Sequence, residues 1–252
     1  MISELCLANA HCATKMFPQL DRNVAHVEDK ILSYLEPKEL AKAMLVCKEW
    51  CEKARPFLYE WYATIQRKNG DIPLIKAVIS DNDHLVAFLL RDRQVNVNEI
   101  NETSKFRGWT ALTVAAFNEQ ETITRMLLER EDTDVNMKSR LGRSALHYAA
   151  SWGHAGIVKI LLERRDIHVN DRDKLGFTPL IEACREMRVS VAKELLNHPD
   201  IDVNIRDING NTALSLAKRV MSYNRENSLI VEKLEKIVVM LEEKNAILET
   251  HL

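Results

Sequence analysis

The sequence predicts an all-α protein in which short helical units repeat along an elongated array. Two observations carry this prediction. Glycine is scarce, with 7 in 252 residues, whereas residues that favour helices are abundant. Four of those glycines also lie 34 residues apart, at Gly108, Gly142, Gly176 and Gly210. A fixed period of this length is the signature of stacked helical units.

Composition and charge exclude several classes of protein. The net charge of −2 gives no bulk attraction to nucleic acid or to anionic membranes. No apolar run approaches the ~18 residues of a membrane span, and an early Glu4 with no basic start makes a poor secretion signal. Five scattered cysteines favour free thiols in a reducing compartment over a disulfide framework. We therefore expect an intracellular protein without a membrane anchor.

The text within each period also recurs. The phrases "GWTALTVAA", "GRSALHYAA", "GFTPLIEAC" and "GNTALSLAK" begin at the four glycines. Glycine can take a positive φ at the turn, and the Ser or Thr two residues later can cap a first helix. A second helix carries an apolar stripe, such as Ile157, Val158, Leu161 and Leu162. One unit cannot bury that stripe alone, so neighbouring units must stack.

This pattern resembles the ankyrin repeat, because "GFTPLIEAC" and "GRSALHYAASWGHAGIVKILL" lie close to the family signature. The resemblance covers roughly residues 71–226. It predicts about five units, at 71–98, 99–136, 137–170, 171–204 and 205 onward. The first unit keeps the apolar positions but lacks the turn signature, which is typical of a terminal capping repeat. Four extra residues in the second unit should lengthen the hairpin before Gly108.

A long amphipathic helix is predicted after the last repeat signature. "SLIVEKLEKIVVMLEEKNAIL" follows the break "SYNREN". Its apolar face is expected to comprise Leu229, Ile230, Leu234, Ile237, Val238 and Leu241. We expect residues 227–252 to cap the stack with a charged outer face. The alternative is an export signal, since the glutamate-rich tail resembles the C-terminal tails of some bacterial secreted effectors.

Ankyrin proteins usually bind other proteins through their hairpin tips and first helices on the concave side, and the resemblance implies the same surface here. The matching positions are Phe106, Arg107, Trp109, Phe117, Arg140, Arg143, Tyr148, Trp152, Phe177 and Arg185. Aromatic residues and arginine are typical of protein-binding hot spots. We therefore expect a target protein with an acidic or mixed acidic–apolar segment. The alternative for any one ring is packing between adjacent units.

No pattern in the sequence indicates catalysis. There is no phosphate-binding glycine loop, no nucleophile elbow and no complete set of metal ligands. His147 and His154 stand at the "LH" and "GH" positions of the ankyrin signature, where histidine tends to hydrogen-bond neighbouring turns. We expect structural histidines, no metal and no cofactor.

Residues 21–68 have a different helical pattern. Apolar residues recur at helical spacing from Val27 to Leu35, and Pro37 suits the first turn of a second helix. That second helix is apolar on more than one side. So small a unit with so much apolar surface must pack against the rest of the chain or against a partner.

The stretch "ILSYLEPKELAKAMLVCKEW" resembles an F-box. In that family the helices dock on a Skp-type linker protein, which joins them to a cullin–RING ubiquitin ligase. The resemblance implies a docking face of Val24, Val27, Ile31, Leu32, Leu35, Pro37, Leu40, Leu45, Val46, Cys47 and Trp50. The family usually opens with Leu-Pro, and Asn23-Val24 stands in that place. The alternative is a helical hairpin that only caps the ankyrin stack.

Together the two resemblances imply a substrate-recruiting adaptor of a Skp–cullin–F-box ubiquitin ligase. The F-box-like hairpin, packed on the ankyrin solenoid, would dock the linker while the concave face holds a target for ubiquitination. The pairing is similar to effectors that intracellular bacteria deliver into host cells, which implies the cytoplasm of a eukaryotic cell. The alternative is an ankyrin protein that binds or sequesters its partner without a ligase. Residues 1–20 form a segment to which no pattern assigns a role.

Overall fold

The structure is a computed structural model, which describes residues 72–102, 106 and 108–250. The F-box-like segment, including the predicted docking face from Val24 to Trp50, lies outside the described residues. The described part contains ten helices and no strand. In chain order they are α1 Pro73–Ile79, α2 Asp83–Arg91, α3 Ala111–Phe117, α4 Glu121–Leu128, α5 Ala145–Trp152, α6 Ala155–Leu162, α7 Pro179–Arg185, α8 Val189–Leu196, α9 Ala213–Tyr223 and α10 Ser228–Thr250.

The helices stack in two layers. The first helices of successive units, α1, α3, α5, α7 and α9, pack on one another, and the second helices, α2, α4, α6, α8 and α10, do the same. Paired alanines line the contact between first helices, where Ala115, Ala116, Ala149 and Ala150 are each 0% exposed. These small side chains let the helices approach closely. The arrangement confirms the predicted all-α solenoid with a C-terminal capping helix.

The predicted caps start the first helices. The Thr110 hydroxyl accepts a hydrogen bond from the backbone N–H of Thr113 at 3.2 Å, and Thr178 and Thr212 make the equivalent bond. Ser144 forms a capping box with His147. Each bond satisfies a backbone donor that the first turn of a helix leaves without an intrahelical partner. The hydroxyl two residues after the glycine therefore sets where α3, α5, α7 and α9 begin, whereas α1 begins at Pro73 without a side-chain cap.

A ladder of asparagines links consecutive units on the side of the second helices. The Asn136 side chain donates to the carbonyl of Asp166 at 2.7 Å and accepts from the N–H of His168 at 2.8 Å. Asn98 and Asn170 make the same two bonds to the following loop. Each of these three asparagines follows a valine at the end of its unit, and each is a point where one unit holds the next.

The hairpins between units are also joined to one another. The N–H of Lys174 donates to the carbonyl of Leu141 at 3.0 Å, and the N–H of Ile208 donates to the carbonyl of Leu175 at 3.1 Å. In the longer second unit, Asn101 and Trp109 pair as an isolated antiparallel bridge. This bridge fixes the backbone at Trp109, two residues before α3 begins.

The capping helix α10 packs on α8 and α9. Leu234, Ile237 and Leu241 are each 0% exposed, so the centre of the predicted apolar face is confirmed. The prediction for Leu229 was wrong, because its side chain is 60% exposed. At 100° per residue, Leu229 lies about 130° from the centre of the buried stripe, so it points away from the stack.

None of the helices between residues 72 and 250 combines the length and the apolar character needed to cross a bilayer.

Candidate functional site

Five aromatic rings of the second and third units form one continuous surface. We call Phe106, Trp109, Phe117, Tyr148 and Trp152 the aromatic surface. Ring centroids lie 5.3 Å apart for Phe106 and Trp109, 5.1 Å for Trp109 and Phe117, and 4.3 Å for Trp109 and Tyr148. Phe117 reaches Trp152 at 5.0 Å, edge to face. The structure thus brings together rings that are up to 46 residues apart in sequence.

The aromatic surface is partly open to solvent. Trp152, at the end of α5, is 52% exposed, while Trp109, Phe106 and Phe117 are half-buried. Phe117 ends α3, and Tyr148 lies one helical turn before Trp152 on α5, so all these rings share the face of the first helices. Exposed aromatic area of this kind marks sites that bind proteins or other apolar surfaces.

Two of the predicted rings serve packing instead. Tyr148 is 5% exposed and Phe177 is 9% exposed, so both rings are buried. Trp109 of the second unit lies 4.3 Å from the Tyr148 ring centroid. The Tyr148 hydroxyl shares a 3.2 Å hydrogen bond with that of Ser139, and burial raises its pKa. Phe177 lies in the fourth unit beneath Arg185, whose guanidinium is 5.0 Å from the ring centroid. The alternative of packing between units therefore holds for Tyr148, whereas the described contact of the Phe177 ring is with Arg185 of its own unit.

The predicted arginines are paired with carboxylates of the same chain. Arg143 contacts Asp173 at 3.0 Å and also contacts Glu182. Arg185 lies 2.9 Å from both Glu182 and Glu186. We call these five residues the charge cluster. Arg143 belongs to the third unit and Glu182 to α7, so the cluster connects two units in addition to presenting charge.

Burial decides the electrostatics of the charge cluster. The Glu182 side chain is 0% exposed, and burial raises its pKa while Arg143 and Arg185 oppose the rise. The Arg143 side chain is only 17% exposed. A buried ion pair of this kind is costly to break, because each charge loses its partner in a low-dielectric environment.

Arg140 is placed differently from the other two arginines. Its side chain is 50% exposed and contacts Glu102, itself 64% exposed, at 2.6 Å. Such a pair between exposed groups contributes little to stability, roughly 0–1 kcal/mol. Arg107, the fourth arginine that the sequence assigns to this surface, lies outside the described residues.

Sequence reasoning missed the importance of Asp173. This carboxylate stands three residues before Gly176, and Asp207 stands three residues before Gly210. One oxygen of each side chain accepts backbone N–H bonds within its own hairpin, as from Phe177 to Asp173 at 2.9 Å. The 34-residue recurrence of this aspartate was the available signal. The other carboxylate oxygen of Asp173, Oδ2, accepts a hydrogen bond from Arg143 Nε at 3.0 Å.

Both histidines hydrogen-bond a neighbouring unit, as the sequence predicts. The Nε2 of His147 lies 3.1 Å from the carbonyl oxygen of Phe177, and the Nε2 of His154 lies 3.1 Å from that of Phe117. His147 is 0% exposed, and burial lowers its pKa to about 4. The ring is therefore neutral at pH 7 and donates from Nε2.

The described part of the chain offers no arrangement suited to chemistry. Within it, no three His, Cys, Asp or Glu side chains converge to hold a metal ion. Cys184 is fully buried, and burial raises the pKa of its thiol to about 12. A thiol in that state supplies almost no thiolate at neutral pH and is a poor nucleophile. Cys47, which belongs to the predicted docking face, lies outside the described residues.

Comparison with known families agrees with the stacked geometry. The pattern of the family described as "Ankyrin repeats (3 copies)" matches residues 38–139, 74–173 and 131–207. The matches together cover more than half of the chain, which therefore belongs to the ankyrin-repeat family. Members of this family are generally binding scaffolds without catalysis of their own, and their repeats mediate protein–protein interactions.

A solved structure supports the fold. The crystal structure of EF0377, an ankyrin repeat protein, aligns with a TM-score of 0.60 and 24% identity, over 69% of this chain and 82% of that chain. At this identity the likeness shows the fold alone. No curated protein matches the chain.

Proposed function

We propose that the protein is a substrate-recruiting adaptor of a Skp–cullin–F-box ubiquitin ligase. The stretch from Ile31 to Trp50 carries the proposal, because its order of apolar residues, Pro37 and the ending "LVCKEW" fit an F-box hairpin that docks a Skp-type linker. The ankyrin stack would hold the target. Ubiquitination would follow from proximity, since tethering raises the local concentration of a target lysine near the charged enzyme.

The aromatic surface is our proposed site for the target protein. It combines half-buried rings with the 52% exposed Trp152 on the family's usual binding side. A partner that covers Trp152 would remove a large aromatic area from water, and aromatic anchors of this kind dominate protein interfaces. The setting we propose is the cytoplasm of a eukaryotic cell, which includes a host cell that receives a bacterial effector.

A second candidate is a protein that binds or sequesters its partner without a ligase. Two observations favour it. The first family match begins at residue 38, inside the F-box-like stretch. Asn23-Val24 also replaces the Leu-Pro with which F-boxes usually open. In this case the N-terminal helices would extend the repeat array, and no linker would bind.

One experiment separates the two candidates. The purified full-length protein is mixed with the Skp linker and analysed by size-exclusion chromatography. The adaptor proposal predicts co-elution of the wild type, and loss of co-elution for Leu35→Asp and Trp50→Ala with unchanged circular dichroism. Trp152→Ala is the matched control and should co-elute normally. A folded wild type that never co-elutes with the linker would remove the ligase role and leave the sequestering one.

A further inference from the structure

We infer that the hairpin tips of the third, fourth and fifth units bind a partner segment that carries both carboxylates and aliphatic side chains. This surface is separate from the aromatic surface, and its assignment rests on the proposed protein-binding role of the ankyrin stack. The three hairpins, 137–143, 171–177 and 205–211, are described in full. We call their exposed aliphatic side chains and unpaired cations the hairpin row, which comprises Leu141, Leu175, Ile208, Arg172, Lys174 and Arg206.

Exposed aliphatic side chains recur along the hairpin row. Leu141 is 59% exposed, Leu175 is 46% exposed and Ile208 is 63% exposed. Leu141 and Leu175 directly precede the turn glycines of their units, and Ile208 lies two residues before Gly210. A single exposed aliphatic residue is ordinary on a protein surface, whereas a set that recurs on neighbouring elements marks an interaction site.

Backbone hydrogen bonds hold the hairpin row in a fixed order. The carbonyl of Leu141 accepts from the N–H of Lys174 at 3.0 Å, and the carbonyl of Leu175 accepts from the N–H of Ile208 at 3.1 Å. Residues of the row therefore make the bonds that join one hairpin to the next. A surface that is already ordered costs little conformational entropy when a partner binds.

The carboxylates of the three hairpins are directed away from solvent. Asp173 is 8% exposed and Asp207 is 5% exposed, and each accepts backbone N–H bonds within its own hairpin. The one other carboxylate of these hairpins, Asp171, is half-buried and contacts Lys138 at 3.0 Å. No fully exposed carboxylate therefore remains on the three hairpins to neutralise their cations.

The cations of the hairpin row are exposed and unpaired. Arg172 donates to the carbonyl of Gly176 at 3.4 Å, and Arg206 donates to that of Gly210 at 2.9 Å. Within the described part of the chain, no carboxylate contacts these two guanidinium groups or the ammonium group of Lys174. A carboxylate of a partner can pair with them without displacing a carboxylate of this chain.

The arginines that the sequence assigns to the target differ in this respect. Arg140, Arg143 and Arg185 already contact carboxylates of this chain. The acidic part of a partner is therefore better matched by the hairpin row than by these arginines. Charge complementarity of this kind guides partner choice and speeds association.

The aliphatic members of the hairpin row favour a peptide over a nucleic acid. Proteins that bind single strands stack the bases on aromatic rings, and none of the six residues of the row is aromatic. Leu141, Leu175 and Ile208 can instead bury aliphatic side chains of a partner between its carboxylates. Carboxylates and aliphatic groups on one segment match both halves of the row.

The test is a selection of random 12-residue peptides displayed on phage against the immobilised full-length protein. Before each round the library is depleted on the double variant Lys174→Glu with Ile208→Ser, with circular dichroism as the check of its fold. Depletion removes peptides that bind elsewhere, those of the aromatic surface included. We expect the enriched peptides to carry an excess of Asp and Glu together with Leu, Ile or Val.

Single variants with matched controls locate the site. The most enriched sequence is synthesised with a fluorescein label, and its affinity is measured by fluorescence polarisation. Lys174→Glu should weaken binding about tenfold or more, whereas Lys193→Glu, the same charge change at an exposed lysine of α8, should leave it within about twofold. Ile208→Ser should weaken binding about fivefold, whereas Leu229→Ser, at a similarly exposed residue of α10, should leave it within about twofold.

Salt and a nucleic acid provide the remaining readouts. Affinity should fall about fivefold or more between 50 and 500 mM NaCl, because salt screens exposed ion pairs. The inference would be overturned by a lack of enriched peptides, by enriched peptides without acidic residues, by salt-independent binding or by variants that behave as their controls do. Binding of the oligonucleotide dT20 as tight as that of the peptide would equally overturn it. Skp co-elution and the effect of Trp152→Ala are measured separately, so failures of the ligase role, the aromatic surface and the hairpin row remain distinguishable.

Discussion

Gly176 and Gly210 occupy equivalent turns with φ of +78° but differ in what covers them. A Cβ added at Gly176 would lie 2.9 Å from the backbone nitrogen of Ile208, whereas a Cβ at Gly210 would meet nothing within 4 Å. The reason is that Gly210 belongs to the last hairpin, which no further unit covers. The same glycine signature therefore has two different energetic roles.

This difference predicts the result of two matched substitutions. Gly210→Ala should cost about 1 kcal/mol, the backbone penalty of a left-handed residue. Gly176→Ala should cost about 1–3 kcal/mol more, because backbone atoms must also shift. Urea denaturation followed by circular dichroism measures both values. Equal destabilisation of the two variants would contradict the contact between hairpins.

His147 should make stability depend on pH. Its pKa is lowered from 6.5 to about 4 in the folded state, so between these values the unfolded chain binds more protons. Stability from this group is fully present above pH 6.5 and is lost as the pH falls toward 4, by about 3 kcal/mol. Glu182 acts in the opposite direction, because burial raises its carboxyl pKa and the folded state binds that proton more readily.

The measurement compares urea denaturation midpoints of the wild type and His147→Gln from pH 7 to pH 4. In the variant, the part of the pH dependence of stability that comes from His147 should be absent, and the part that comes from Glu182 should remain. Its overall stability should be lower at pH 7, since a glutamine amide differs in shape from the imidazole ring, whose two nitrogens contact Ser144 and Phe177 at once. Parallel pH profiles for the two proteins would show that His147 does not stay neutral in the folded state.

Single residues could be predicted where their role is local. The hydroxyl caps and the turn glycines follow from spacing within one signature, and the histidine bonds were implied by the resemblance to the ankyrin signature. The burial of Tyr148 and the pairing of Arg143 with Glu182 could not be predicted in this way. They depend on how closely neighbouring units stack, and the two partners of the ion pair are 39 residues apart.

At the scale of one element, α10 shows which part of an amphipathic pattern matters. Ile237→Ala should cost about 2–5 kcal/mol, because the side chain is 0% exposed between α8 and α9. Leu229→Ala on the same helix should change stability by less than about 0.5 kcal/mol, because that side chain is 60% exposed. Thermal or urea unfolding tests both, and a large effect at Leu229 would contradict the orientation of the helix.

The existence of α10 was predictable from its apolar residues, but its orientation was only partly so. Leu234, Ile237 and Leu241 follow the helical period and are buried. Leu229 is apolar and adjacent in sequence, yet its angle on the helix places it toward solvent. Hydrophobicity alone therefore overestimates the packed face, whereas the angle around the helix axis defines it.

At the scale of the whole molecule, the repeat explains why the stack of helices could be predicted from the sequence and why contacts between units could not. Because each described unit contacts its neighbours, the 34-residue period was sufficient to establish the stack. The aromatic surface combines rings from two units, and among the described residues Arg140 and Glu102 form an ion pair across the same two units. The sequence predicted which residues lie in this surface, but not which of them pair with groups of the neighbouring unit.

The central claim is that one chain holds a ligase linker and a target at the same time. Analytical ultracentrifugation of the full-length protein with the Skp linker and a fluorescein-labelled peptide that binds the aromatic surface tests it most directly. The account predicts that the peptide sediments with a ternary complex, that Trp152→Ala releases only the peptide and that Leu35→Asp releases only the linker. Peptide that sediments with the protein but never with the linker would contradict it.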